Sequence, residues 1–206
     1  MARYDAALFD LLTALIDSWS LFNAVAGSEE KGLVWRKAFL RRAYATGAYV
    51  PYEQIMRDSA RDVGMPEETG TELLRRWSEL RPWPEAAGVL RDLSRSVRIG
   101  VVTNCSEALG TAAAARVGVP FSVLVTAERA GFYKPDPRAY RLALAEMGTP
   151  PQRTLFVAGS PGDVGGASAV GMDVYWHNRR RLPPLPGPAA RAERRSLLPL
   201  ARFVHR

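Results

Sequence analysis

Asp10 closes a short apolar run, Ala6-Ala7-Leu8-Phe9, and the residue two places on is Leu12 rather than a second carboxylate. A carboxylate at the carboxyl end of a buried strand is well placed to act as a covalent nucleophile. The missing partner limits the leaving group, because a departing alkoxide needs a proton donor and Leu12 has none. Further polar groups follow later apolar runs: Thr103-Asn104 after Val101-Val102, Lys134 ahead of Pro135, and Ser160 with Asp163 after Val157-Ala158.

These residues do chemistry together only if the fold gathers them. After Arg95 apolar runs and helical patterns alternate. Strands are expected near 97–102, 121–125, 154–158 and 173–176, with helices near 107–117, 138–147 and 163–170. That alternation predicts an α/β fold, a Rossmann-like parallel sheet with helices on both faces. The first strand, about 6–9, belongs to the same sheet, because one strand alone cannot bury its faces. Residues 16–84 read as all-helical, with Leu33, Trp35, Phe39 and Leu40 near helical spacing and further helices over about 52–63 and 67–79; another helix, over about 85–95, follows. The expected organisation is a core domain of residues 1–15 and 85–206 with a helical cap, 16–84, inserted between them. Loops after parallel strands gather at one edge, where ligands bind, and all four polar groups fall there.

Each residue also has a plainer reading. Asp10 can be a turn or cap residue, Thr103 and Asn104 can satisfy a helix N-terminus, Lys134 can be a surface lysine, and Asp163 can cap the helix it begins. It is the joint placement at one sheet edge that argues for a site.

With 206 residues, 47% of them apolar, the chain can bury a sizeable core. It has no apolar stretch long enough for a membrane span, and its first residues do not form a signal peptide, so a cytoplasmic protein without membrane contact is expected. A single cysteine, Cys105, excludes an internal disulfide, and two histidines leave little for a metal cluster. The net charge of +7 rests heavily on Arg179, Arg180, Arg181, Arg191, Arg194, Arg195, Arg202 and Arg206. These are interleaved with prolines rather than aromatics, a poor platform for bases, so the segment reads as a solvated tail and nucleic acid is not expected as a partner.

The four groups, Phe9-Asp10, Val102-Thr103-Asn104, Tyr133-Lys134-Pro135-Asp136-Pro137 and Val157-Ala158-Gly159-Ser160-Pro161-Gly162-Asp163, resemble in order and spacing the four motifs of the haloacid dehalogenase superfamily. The resemblance extends to about Arg179 and is nearest to the L-2-haloacid dehalogenase branch. It implies that Asp10 attacks an electrophile and forms a covalent ester, that Lys134 keeps Asp10 ionised, and that Asp163 orients the lysine or the hydrolytic water. Thr103, Asn104, Ser160 and the backbone following Asp10, beginning at Leu11, would then bind an anionic substrate group. Phosphatase members carry an Asp two residues after the nucleophile and another just before the Ser of the fourth motif. Leu12 and Gly159 stand there, pointing away from magnesium-dependent phosphate transfer and toward attack on carbon, with no cofactor expected. Trp35-Arg36 match a cap arginine that receives the halide, Tyr140 matches an active-site tyrosine, and Tyr52 is a further pocket candidate. The implied substrate is a small anionic 2-haloalkanoic acid; a homodimer is compatible.

Three positions depart from that branch: Ala14 replaces a Thr, with the adjacent Thr13 expected to point elsewhere; Ser160 replaces an Asn; and Gly162 replaces a Trp that helps hold the halide. They leave open another small anionic substrate, a magnesium-dependent phosphatase, or a catalytically reduced binding member. The loop from Ala158 to Gly166 also suggests nucleotide binding, but its glycine spacing is GxxGxxG. Cys105 lacks a partnered base and is expected to be a small buried residue.

Overall fold

The computed structural model describes residues 3–205; Met1, Ala2 and Arg206 lie outside the described residues. Six strands form one parallel sheet in the order β3-β2-β1-β4-β5-β6: β1 Ala6–Phe9, β2 Arg98–Thr103, β3 Val123–Thr126, β4 Thr154–Ala158, β5 Asp173–His177 and β6 Ala192–Arg194. β1 lies between β2 and β4, with Phe9 opposite Val101 on one side and Val157 on the other. The chain order reverses direction there, and the diverging connections open a crevice beyond the strand ends.

Side chains alternate across the pleat, as the two-residue period of a strand requires. Leu8, Val102, Phe156 and Trp176 pack on one face with residues of α8 (Pro137–Met147) and α9 (Pro161–Ala169). Phe9, Val101, Val157 and Tyr175 share the other face with residues of α5 (Ala86–Leu93) and α6 (Glu107–Val117). α7 (Ala127–Ala130) follows β3.

Four helices intervene between β1 and α5: α1 Ser18–Ala26, α2 Glu29–Ala45, α3 Tyr52–Asp62 and α4 Glu67–Arg75. They stack in sequence, α1 on α2, α2 on α3 and α3 on α4. The expected helix over 67–79 stops at Arg75 and tightens into a 3-10 turn, Trp77–Glu79. The chain leaves and re-enters the sheet region through an antiparallel ribbon: Asp17 N donates to Arg81 O at 2.8 Å and Trp83 N to Leu15 O at 2.9 Å.

The C-terminal segment differs from the expected solvated tail. Its arginines reach outward, but β6 extends the sheet, and Leu197, Leu200 and Val204 are fully buried, the last two on α10 (Leu200–Val204). Arg179 pairs with Glu85 at 2.5 Å and lies over the Trp83 ring, and Arg180 pairs with Glu29. Three apolar anchors spaced three and four apart were hidden by the arginines around them. No described helix is long and apolar enough to cross a membrane.

Candidate active site

Asp10 leaves β1 and is followed by a π-helical turn, Leu11–Leu15, all of it buried. The turn folds back over the carboxylate. Asp10 Oδ2 accepts from Thr13 N at 2.8 Å, Ala14 N at 3.1 Å and Thr13 Oγ1 at 2.5 Å. The sequence expectation that Thr13 points elsewhere is therefore corrected: the wider π-turn brings the side chain of residue 13 onto the carboxylate, while residue 14 contributes its backbone N–H. Among the described residues Asp10 Oδ1 accepts only from Lys134 Nζ, at 2.8 Å, which leaves it the less encumbered oxygen.

Lys134 is 3% exposed and also lies 3.0 Å from Asp163 Oδ1. Its backbone is clamped by Asn104, whose Oδ1 accepts from Lys134 N at 2.6 Å and whose Nδ2 donates to Lys134 O at 2.9 Å. Asp163 begins α9 and accepts from Tyr140 Oη at 2.9 Å and Ser160 Oγ at 3.1 Å. Burial works against ionisation of Asp10, but the charge and hydrogen bond of Lys134, joined by Thr13, outweigh it and hold the carboxyl below the ordinary value. Asp163 is shifted the other way, raised by burial and by Asp10 beyond what Lys134 offsets. Burial alone would lower Lys134, yet two carboxylates keep its pKa above normal. The three groups form a buried triad of two carboxyl groups and one ammonium.

Arg36 enters from α2, opposite Asp10. Its neighbour Trp35 is fully buried and fastens α2 to α3 by donating to Ser59 Oγ at 2.9 Å. Successive helical residues diverge, so anchoring Trp35 turns Arg36 toward the sheet edge. The guanidinium sits 4.2 Å from the Trp19 ring centroid and 4.8 Å from that of Phe22, and Nη2 donates to Ser18 Oγ at 2.9 Å. Nη1 is buried with no partner among the described residues. Burial lowers the Arg36 pKa to about 10, leaving it charged at neutral pH.

A cavity of about 280 Å³ joins these elements, its walls including Asp10, Arg36, Thr103, Lys134, Ser160 and Asp163. Tyr52 and Asn104 also line it; Tyr140 and Leu11 do not, since Tyr140 stands behind Asp163 and the Leu11 side chain lies in the core. Thr103 Oγ1, like Arg36 Nη1, is buried and unpartnered among the described residues. A buried donor without an acceptor costs about 1–3 kcal/mol, and both residues line this cavity, so the pair suits a bound anion. Cys105 is buried and burial raises its thiol pKa well above normal, which agrees with a packing role.

Sequence reasoning missed the groups that hold the turn itself. Ser18 Oγ donates to Leu12 O, Trp83 Nε1 to Thr13 O at 3.1 Å, and His177 Nδ1 lies 2.8 Å from Ala14 O. These residues are distant in sequence or carry no motif. Gly159 has a clearer signal and a steric reason. A Cβ there would stand 2.1 Å from Thr13 Oγ1 and 2.3 Å from Ala14 N. An Asp at 159 is excluded while the turn keeps this shape. Nor does the donor set fit a magnesium ion: the Lys134 ammonium fills the place between the carboxylates, and position 12 is Leu.

A carboxylate held ionised and accessible at the switch point of a parallel sheet, with a cation facing it, defines a hydrolase of the nucleophilic-aspartate class. The family model for haloacid dehalogenase-like hydrolases matches residues 13–171, and the chain belongs to that family. Haloacetate dehalogenase H-2 of Moraxella sp. (strain B) is 29% identical over 196 residues, covering 87% of this chain and 88% of that protein. An (S)-2-haloacid dehalogenase of Pseudomonas fluorescens is 28% identical over 201 residues, covering 87% of each. The crystal structure of an L-2-haloacid dehalogenase superposes with a TM-score of 0.88 at 25% identity, covering 99% of this chain and all of that one.

Proposed function

We propose that the protein hydrolytically removes halide from a small 2-haloalkanoic acid, without a metal ion. The observation that carries this is an ionised Asp10, which has no proton donor at position 12, in the same cavity as an Arg36 N–H that is unpartnered among the described residues. A departing halide needs stabilisation of negative charge but no proton, and this arrangement supplies the first and lacks the second. The similarity to haloacetate and (S)-2-haloacid dehalogenases supports the same substrate class.

Asp10 Oδ1 attacks C2 of the acid from the side opposite the halogen; the C–O bond forms as the halide leaves with its electron pair toward Arg36. Thr103 receives the substrate carboxylate. Water then attacks the ester carbonyl and gives a proton to Asp163; as the tetrahedral intermediate collapses, the departing oxygen takes that proton back and leaves as the hydroxyl of the 2-hydroxy acid, and the remaining proton of the added water is released to solvent, which restores the Asp10 carboxylate. Leu11, Asn104, Tyr140 and Ser160 hold the loop ends, the lysine and Asp163, and the helical segment 16–84 acts as the cap that brings Arg36 and Tyr52 over the nucleophile.

Halide release from each enantiomer of 2-chloropropionate, with and without chelator and beside an Asp10→Asn control, tests the proposal. One enantiomer should react with inversion, and a single turnover in ¹⁸O-water should give unlabelled product, because that oxygen comes from Asp10. Release of phosphate from p-nitrophenyl phosphate only with magnesium, and no halide, would overturn it.

A further inference from the structure

We propose that Tyr44 is the partition between the reaction cavity and a second cavity, and that it limits the carbon chain of the acid the site accepts. The nature of the acid rests on the dehalogenase reading; the limit rests on the shape of the two cavities. The second cavity, about 480 Å³, lies between the first turn of α9 and the proline-rich segment after β5, with Pro135, Gly166, Trp176, Pro184, Pro186 and Pro188 among its walls. It shares Tyr44, Pro161, Gly162 and Leu185 with the reaction cavity. Of these four, Tyr44 alone brings a long rigid side chain, and it comes from α2, eight residues beyond Arg36 and so near the same helix face.

The seating of the ring supports this. A Cβ on Gly162 would meet the Tyr44 hydroxyl at 2.6 Å and Cζ at 3.4 Å. The phenol therefore rests against bare backbone at the start of α9 and occupies the place a side chain at 162 would take. Beyond it the second cavity offers apolar walls and an indole Nε1–H of Trp176 that is buried and unpartnered among the described residues. With the ring in place, an acid bound at Asp10 ends at Tyr44. Without it, an alkyl chain can continue into the second cavity, and each methylene buried there is worth about fourfold in affinity.

The test compares propionate and octanoate, which lack a leaving group, by calorimetric titration into the wild-type protein, Tyr44→Ala and Tyr44→Phe, with thermal melts to verify folding. Tyr44 is 40% exposed, so truncation leaves the core intact. Octanoate should gain at least tenfold over propionate in Tyr44→Ala, while Tyr44→Phe, which keeps the ring, retains the wild-type ratio. Gly162→Leu added to Tyr44→Ala, which refills the place of the ring from α9, should bring the ratio back toward the wild-type value. An unchanged ratio in Tyr44→Ala, a wild-type protein that already favours octanoate as strongly, or no binding of either acid would overturn the proposal. Halide release from 2-bromopropionate and 2-bromooctanoate is measured in parallel. A shifted binding ratio without halide from either acid would sustain the partition and defeat the dehalogenase reading.

Discussion

Asp10 presents two unequal oxygens. Oδ2 accepts from three donors of the turn, whereas among the described residues Oδ1 has only the Lys134 ammonium, and in the proposed reaction this inequality favours Oδ1 as the attacking atom. The pH behaviour follows from the signs of the shifts. Asp10 sits below its ordinary pKa, so its contribution persists at neutral pH and is lost only as pH falls through that lowered value. Lys134 sits above its ordinary value and remains charged into the alkaline range, so Arg36, at about 10, should be the first cation to fail. The rate profile should be flat across neutrality with an alkaline limb near pH 10. Arg36→Gln should lose about 10²-fold or more in kcat/KM, the scale of a removed charge-stabilising donor, and its residual activity should lack that limb. Asp163 is the opposite case. Its pKa is raised, so ionisation at neutral pH opposes folding, and that cost disappears as pH falls below the ordinary carboxylate range. Asp163→Asn should therefore raise the melting temperature, by roughly 2–4 °C per kcal/mol recovered, while abolishing turnover. A lower melting temperature would show the triad to be net stabilising.

At the scale of elements, the site depends on one turn between two close neighbours. The π-turn Leu11–Leu15 is pressed from below by Gly159 and held from outside by Ser18, Trp83 and His177. Gly159→Ala places a methyl group into Thr13 Oγ1 and the Ala14 amide. Overpacking of this kind costs about 1–3 kcal/mol. The larger effect should fall on kcat, which should drop at least tenfold in a protein that still melts cooperatively, because the turn must move off Asp10. Equal kcat with a lower melting temperature would separate the turn's packing from its chemistry. Ser18 links this element to α2: it receives Arg36 Nη2 and donates to Leu12 O, so the cation and the turn after Asp10 share one hydroxyl.

Across the whole molecule, the C-terminal segment ties the sheet to the inserted helices. Arg180 reaches Glu29 at the start of α2, Arg179 reaches Glu85 before α5, and Leu182, Pro183 and Leu185 line the reaction cavity. Leu200 is fully buried. Leu200→Ala should cost about 2–5 kcal/mol, read by urea denaturation, with kcat preserved where the protein remains folded. A loss below 1 kcal/mol would mean that the segment docks weakly and that β6 is dispensable.

Local pattern sufficed for the parallel-sheet core, for the strand ends that carry Asp10, Thr103 and Ser160, and for the helical run that carries Arg36, because strand and helix periods and strand-end polar residues are properties of short stretches of chain. The wider π-turn, which substitutes Thr13 for residue 14, was not legible, since its shape depends on Gly159, Trp83 and His177 closing around it. Asn104 as a clamp on Lys134, Tyr140 behind Asp163, and Tyr44 against Gly162 likewise join positions far apart in the chain. The docked tail was obscured because local charge hid anchors that acquire meaning only beside β5. Sequence by itself determined which chemistry the residues can perform; the tertiary structure decided which oxygen is freer, which cation keeps an N–H without a partner among the described residues and how much room the substrate has, because each is a distance between segments that no local pattern encodes.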